Sequence, residues 1–156
     1  MGFLLVGRRT ALTAFGRLPR RLRIIIVSLI APRFTVGALV VLHRGDELLL
    51  LRQRHHEAWA FPGGLLARGE SPSACVAREL LEELGVAIEV PEAPAAVLVE
   101  GTRIDIVFTC RWPYGDDAVV PHDVEVIEGR WFRRPDLPPL TGPTSRALAQ
   151  LDGAAR

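Results

Sequence analysis

The tightest constraint on this chain lies between Trp59 and Val86, where an extended apolar stretch meets a glycine pair and then a short helix with both ends marked. Pro62-Gly63-Gly64 breaks the extended run. Ser71 offers an N-cap oxygen, Pro72 suits the first helical position, and Gly85 suits the left-handed residue that closes a helix. Within those limits Glu79, Glu82 and Glu83 recur at offsets of three and four, which gathers them on one helical face. Ala77, Leu80, Leu81 and Leu84 are expected to form the core-facing stripe, leaving the acids outward. These acids crowd the C-terminal half of the helix, where the dipole disfavours negative charge. The preceding glycine loop lets backbone approach a ligand closely. A cation among the acids removes the repulsion, and hard oxygen donors suit Mg²⁺ or Mn²⁺. Arg78 is spaced to pair with Glu82 at i, i+4.

The surrounding pattern is that of a layered domain. Strands are expected at 35–42 and 47–53, joined by a turn at Arg44-Gly45-Asp46, then short extended pieces over 59–66. Further strands are expected near 95–100, 103–112 and 124–133, and a closing helix at 145–151 opened by Gly142-Pro143-Thr144. Strands mixed with a central and a terminal helix give an α/β or α+β domain. At 156 residues one such domain is expected, over 34–156. Residues 1–33 form a basic extension with seven arginines and no acid, whereas the rest carries twelve arginines against eighteen acids. In this extension a helix over 17–30 would align Leu18, Leu22, Ile25 and Leu29 opposite Arg17, Arg20 and Arg23. Three readings of it stay open: packing on the domain or across a dimer, peripheral docking on an anionic membrane surface, and a tail or nucleic-acid contact. The beginning does not read as a signal peptide, and no apolar run reaches the roughly 20 residues a membrane span needs. Cys75 and Cys110 have no metal-ligand spacing and read as small core residues, with a reducing cytoplasm as the expected location.

Gly64-x5-Glu70-x7-Arg78-Glu79-Leu80-x-Glu82-Glu83-x-Gly85-Val86 resembles the complete Nudix box, and Trp59 to Gly64 resembles the family's lead-in. The resemblance covers about two-thirds of the chain. It implies the Nudix fold, a mixed β-sheet sandwiched between α-helices, here with an N-terminal basic helical extension. It also implies a Mg²⁺-dependent hydrolase that cleaves the diphosphate of a nucleoside diphosphate linked to a moiety X. Glu79, Glu82 and Glu83 would bind metal, Gly63 would lend its carbonyl oxygen, and Arg78 would orient the acids. Glu70 would bind metal through water or orient a ligand. A downstream acid usually completes such sites. Glu125, six residues before Trp131, matches one familiar placement of an extra ligand or general base, with Glu128 and Asp123 as substitutes. Period-two alternation puts Glu125 on the side of Trp131 and Glu128 on the other.

Substrate recognition is weakly encoded. Trp59 is a candidate for stacking on a base, Gly64 for close backbone approach, and Arg54 for a phosphate, as are Arg52, Arg103 and Arg111. His122, near Glu125, is a candidate for acid–base or substrate contact. The expected partner is a small-molecule nucleotide, with no nucleic acid, and a homodimer is common in the family. A non-catalytic nucleotide sensor on the same fold is the alternative. A P-loop NTPase is excluded because the chain has no lysine, and a serine hydrolase because it has no Gly-x-Ser-x-Gly.

Overall fold

The computed structural model describes residues 15, 16, 18–115 and 119–154, and the chain divides into two units, residues 1–33 and 34–156. The larger unit is built on one mixed sheet. β1 (Thr35–Arg44) turns through Gly45 and Asp46 into β2 (Glu47–Gln53), and the short β3 (Trp59–Ala60) and β4 (Gly63–Leu65) follow. Helix α2 (Pro72–Leu84), β5 (Ala96–Glu100), β6 (Arg103–Arg111), β7 (Val126–Arg133), a 3-10 turn at Arg134–Asp136 and helix α3 (Gly142–Ala154) complete it. The main path runs β3-β2-β1-β6-β5, with β4 added to β1 and β7 to β2. β1 pairs in parallel with β6 and antiparallel with β4 over Gly37–Leu39, and it meets β2 only at His43 and Arg44. Beyond that hairpin β2 pairs with β7 and β3.

Strand alternation gives the sheet two apolar faces. Ala38, Val40, Leu42, Leu49, Leu51 and Phe108 pack against Val76, Leu80 and Leu84 of α2. Val41, Leu48, Leu50, Trp59, Phe61 and Val107 pack with Ala147 of α3 on the other side. The layered, helix-covered sheet is the expected one, and Cys75 and Cys110 are buried in the first core.

The ends of α2 follow the sequence. Ser71 Oγ accepts the Ala74 N–H at 3.2 Å, Pro72 starts the helix, and Gly85 closes it at φ +66° with its N–H on Leu80 and Leu81 carbonyls. The expected core stripe is rotated, however. Leu81 is exposed, and its place is taken by Cys75, Val76 and the buried acid Glu83. α3 is longer than expected, because Gly142-Pro143-Thr144 form its first turn.

In the smaller unit α1 spans Arg20–Ile30, starting later than expected because Pro19 sits extended at its N-cap and takes the Leu22 and Arg23 N–H groups on its carbonyl. Arg17 lies outside the described residues. No residue of α1 is buried, and Leu22, Ile24, Ile25, Val27, Leu29 and Ile30 are all exposed.

Candidate active site

Arg78 organises the acidic face of α2. Its Nε and Nη2 donate to the two Glu70 oxygens at 2.9 and 3.2 Å, and its Nη1 donates to Glu79 at 2.8 Å and Glu82 at 3.0 Å. Nη2 also reaches the Leu65 carbonyl at 3.2 Å. The expected i, i+4 pair with Glu82 is therefore present, but as one bond of a network. Glu70 additionally accepts the Ala67 N–H at 2.8 Å. The guanidinium, aided by that N–H, holds the Glu70 carboxyl down to about 2. Glu70 thus braces Arg78 and the 67–70 turn with both oxygens.

Glu83 points the other way along the helix, into the fold. It is 6% exposed and accepts the Gly63 N–H at 3.1 Å and the Gln53 side-chain amide at 3.4 Å. Burial pushes its carboxyl up to about 8, against the Gly63 hydrogen bond and with help from the charge of Glu79. Glu79 presses on the same glycine turn: a Cβ on Gly64 would lie 2.0 Å from Glu79 Oε1. Gly63 has φ +137°, and a Cβ there would lie 2.2 Å from the Ala38 carbonyl oxygen. The glycines are required by close approach of β1 on one side and of a carboxylate on the other.

Glu79 and Glu83 face a cleft of about 500 Å³ whose wall also includes Gly63, Gly64, Gln53, His55, Arg103 and Glu125. A second chamber of about 600 Å³ shares Leu39, Gln53, Gly63 and Arg103 with it and is bounded by Phe61, Leu140 and the start of α3. Glu82 is not on this wall; its side chain is half-exposed on the outer edge of the helix.

The downstream residues distribute differently from expectation. Glu125 reaches the cleft, but from a turn before β7 and not from the strand. Arg52 faces Glu128 and Gln53 faces Val126, so Ile127 is an extra residue at a bulge. That bulge shifts the alternation phase, so the same-side argument from Trp131 does not hold. Glu128 instead pairs with Arg52 at 3.1 Å and with Arg130. His122 donates its backbone N–H to the Glu83 carbonyl at 2.8 Å, and its ring lies against Gly85 at the end of α2, off the cleft wall.

Two further expectations are corrected. Trp59 is 8% exposed and packs edge-on against Phe132 with centroids 4.9 Å apart, so its ring is core and leaves no open face for a base. Arg54 is not on the cleft wall, its backbone N–H lying on the Glu125 carbonyl at 2.8 Å and its side-chain Nε on the Val124 carbonyl at 3.3 Å. Sequence reading missed Gln53 and His55 as cleft residues; only their place at and just after the end of an apolar strand marks them.

Among the described residues no three acidic, His or Cys side chains stand at metal-ligating spacing. The donor set still fits a hard divalent ion. Glu79 and Glu83 are carboxyl oxygen donors held against one glycine turn, and among the described residues no cationic side chain bonds to the buried Glu83. Arg78 holds Glu79 and Glu82 where an ion would compete for them.

The chain matches the NUDIX domain over residues 32–151. It is 32% identical over 123 residues to the NAD-capped RNA hydrolase NudC of Stutzerimonas stutzeri (strain A1501), a match covering 76% of this chain and 43% of that protein. The chain thus spans less than half the length of the curated relatives it matches. The crystal structure of a MutT NUDIX hydrolase from Burkholderia pseudomallei superposes with a TM-score of 0.65 at 28% identity, covering 76% of this chain and 98% of that one. An ADP-ribose pyrophosphatase from Streptococcus suis 89-1591 shares the fold, with a TM-score of 0.64 at 24% identity over 78% of this chain and 92% of that one.

Proposed function

Since the chain belongs to the NUDIX family, we propose that it is a Mg²⁺-dependent pyrophosphohydrolase acting on a nucleoside diphosphate linked to a moiety X. The observation that carries the reading is Glu79 and Glu83 against the Gly63-Gly64 turn, on one wall of a cleft that Glu125 shares. Glu79, Glu82, Glu83 and the Gly63 carbonyl would hold Mg²⁺, or Mn²⁺ in its place. Bound there, the ion neutralises a diphosphate and lowers the pKa of a coordinated water.

The chain's own groups do the rest. Arg78 fixes the rotamers of Glu79 and Glu82 through its bonds to both, and Glu70 fixes Arg78. Gly63 and Gly64 keep the wall free of side chains, so a phosphate can approach the backbone. Glu125 takes the proton from the attacking water, supported by its place on the cleft wall. The water's oxygen bonds to phosphorus, the bridging P–O bond breaks, and the products are a nucleoside monophosphate and phospho-X.

The test is a Mg²⁺-dependent screen over dinucleotides, sugar nucleotides, nucleoside triphosphates and capped RNA, read as phosphate freed from the products by an added phosphatase. The NudC relatives are named as NAD-capped RNA hydrolases, which is the reason to begin the screen with capped RNA and dinucleotides. Glu82→Gln, at an exposed site that folding tolerates, is expected to cut turnover by about two to four orders of magnitude. Full turnover in that variant would remove the metal-site reading. Binding without turnover across the whole screen would favour the sensor module.

We also infer that α1 docks on an anionic membrane surface, supported by its exposed apolar residues beside Arg20, Arg21 and Arg23. The full chain is expected to sediment with vesicles of anionic lipid, and a chain lacking residues 1–33 is not. Equal recovery of both in the supernatant overturns this. No described helix is long and apolar enough to cross a membrane.

A further inference from the structure

Asp105 is an acid in the middle of β6, flanked by Ile104 and Ile106, and it is 2% exposed. An isolated carboxylate there would be costly, so its partner matters. Arg103, two residues earlier on the same face of the strand, supplies it. Arg103 Nε lies 3.0 and 2.9 Å from the two Asp105 oxygens, and Nη2 lies 2.8 Å from Oδ1. The pair is asymmetric: the Asp105 side chain is 3% exposed and that of Arg103 39%. One edge of the guanidinium is pinned by the buried acid. Among the described residues Nη1 has no partner.

The sequence makes room for the pair. Gly37 on β1 stands opposite Asp105, and a Cβ there would lie 2.8 Å from Asp105 Oδ1 and 3.3 Å from Arg103 Nη2. A plain core strand needs none of this, because an apolar residue at 105 with an alanine at 37 would pack without a buried charge. Arg103 also stands on the wall of both the acidic cleft and the adjoining chamber, and it is the arginine common to the two. A pinned planar fork with a free edge is suited to phosphate oxygens.

We propose that Arg103, positioned by Asp105, grips a phosphoryl group of the substrate's diphosphate at the boundary between the two chambers. The moiety X then extends into the chamber bounded by Phe61, Leu140, Thr141 and Pro143. This rests on the hydrolase reading and deepens it by assigning the residue that sets which way the diphosphate lies. Arg103 is a binding residue and Asp105 a positioning residue.

The test uses the full chain and methylenediphosphonate, a non-hydrolysable diphosphate, titrated by calorimetry with and without Mg²⁺. Loss of a charge-assisted hydrogen-bonding group is expected to weaken binding in Arg103→Gln at least about tenfold in both conditions. KM for whichever substrate the screen identifies should rise similarly, and kcat/KM should fall by at least as much. Arg103→Lys should fall between, because it keeps the charge and loses the fork. If Arg103→Gln fails to fold through the orphaned Asp105, the double variant Arg103→Gln/Asp105→Asn removes both partners and carries the same expectation. Diphosphonate binding within twofold of wild type in a folded variant overturns the proposal. That result alongside wild-type turnover leaves the hydrolase reading intact. Weakened diphosphonate binding in a protein that hydrolyses nothing sinks the hydrolase reading and leaves this site standing.

Discussion

Replacing each of the adjacent glycines by alanine should give opposite outcomes. At Gly63 the new Cβ meets backbone, the Ala38 carbonyl oxygen at 2.2 Å and Leu39 Cα at 2.9 Å, on a residue whose φ is +137°. The left-handed backbone alone costs an L-residue roughly 1–2 kcal/mol. Moving residue 63 off β1 also withdraws the N–H that Glu83 accepts at 3.1 Å, and an unsatisfied buried acceptor costs about 1–3 kcal/mol more. Gly63→Ala should therefore lose roughly 2–5 kcal/mol, a large share of the stability of an ordinary domain. At Gly64 the Cβ meets only the carboxyl end of Glu79, at 2.0 Å from Oε1, and no positive φ is involved. Glu79 can swing away at the cost of its Arg78 contact, a partly exposed ion pair worth under about 1 kcal/mol. Gly64→Ala should thus fold almost normally yet bind Mg²⁺ poorly. Urea unfolding followed by tryptophan fluorescence measures the first quantity, and Mg²⁺ calorimetry the second. Equal destabilisation of the two variants, or intact Mg²⁺ binding in Gly64→Ala, would refute the reasoning.

In chelator, Glu83 stays protonated in the folded protein up to about 8, whereas the unfolded chain releases that proton near 4.5. The contribution of Glu83 to stability should therefore be fully present below that window and be lost as pH rises through it, on the order of a few kcal/mol; Glu83→Gln should flatten the slope, and parallel urea curves for the two proteins would contradict this. Burial pushes the Cys75 thiol up to about 11, so both buried thiols should resist a disulfide reagent at pH 8 until urea unfolds the chain. Rapid labelling of the native protein would be inconsistent with that packing. Ser71→Ala removes the bond to the Ala74 N–H and should cost about 1 kcal/mol in the same unfolding assay, an effect absent in Ser71→Asp.

What could be read from the sequence was whatever depends on local rules. Ser71, Pro72 and Gly85 set the limits of α2 because capping involves only neighbouring backbone. The hairpin at Gly45-Asp46 and the two-faced sheet follow from turn chemistry and alternation in the same way. Errors arose where tertiary contact decides. Leu81 and Glu83 exchange their expected places because the Gly63 N–H draws Glu83 inward. The bulge at Ile127 shifts the phase on which the Glu125 argument relied, and no residue in β7 announces it. Trp59 looks like a ring available for stacking until β7 brings Phe132 onto it. Arg103 and Asp105 carried a readable signal, opposite charges two apart on one strand face, whose meaning depends on Gly37 lying across the ladder.

β1 hydrogen-bonds to β6 along one edge and, over Gly37–Leu39, to β4 along the other. A one-residue slide of β1 would flip its side chains between faces, and it would also bring Val36 or Ala38 opposite Asp105, where only hydrogen fits. The same error would misalign Gly63 with its partner Leu39. Alignment errors during assembly are therefore penalised at the two places that shape the cleft. A chain that closes its sheet correctly has, in the same step, proofread the walls of its own cleft.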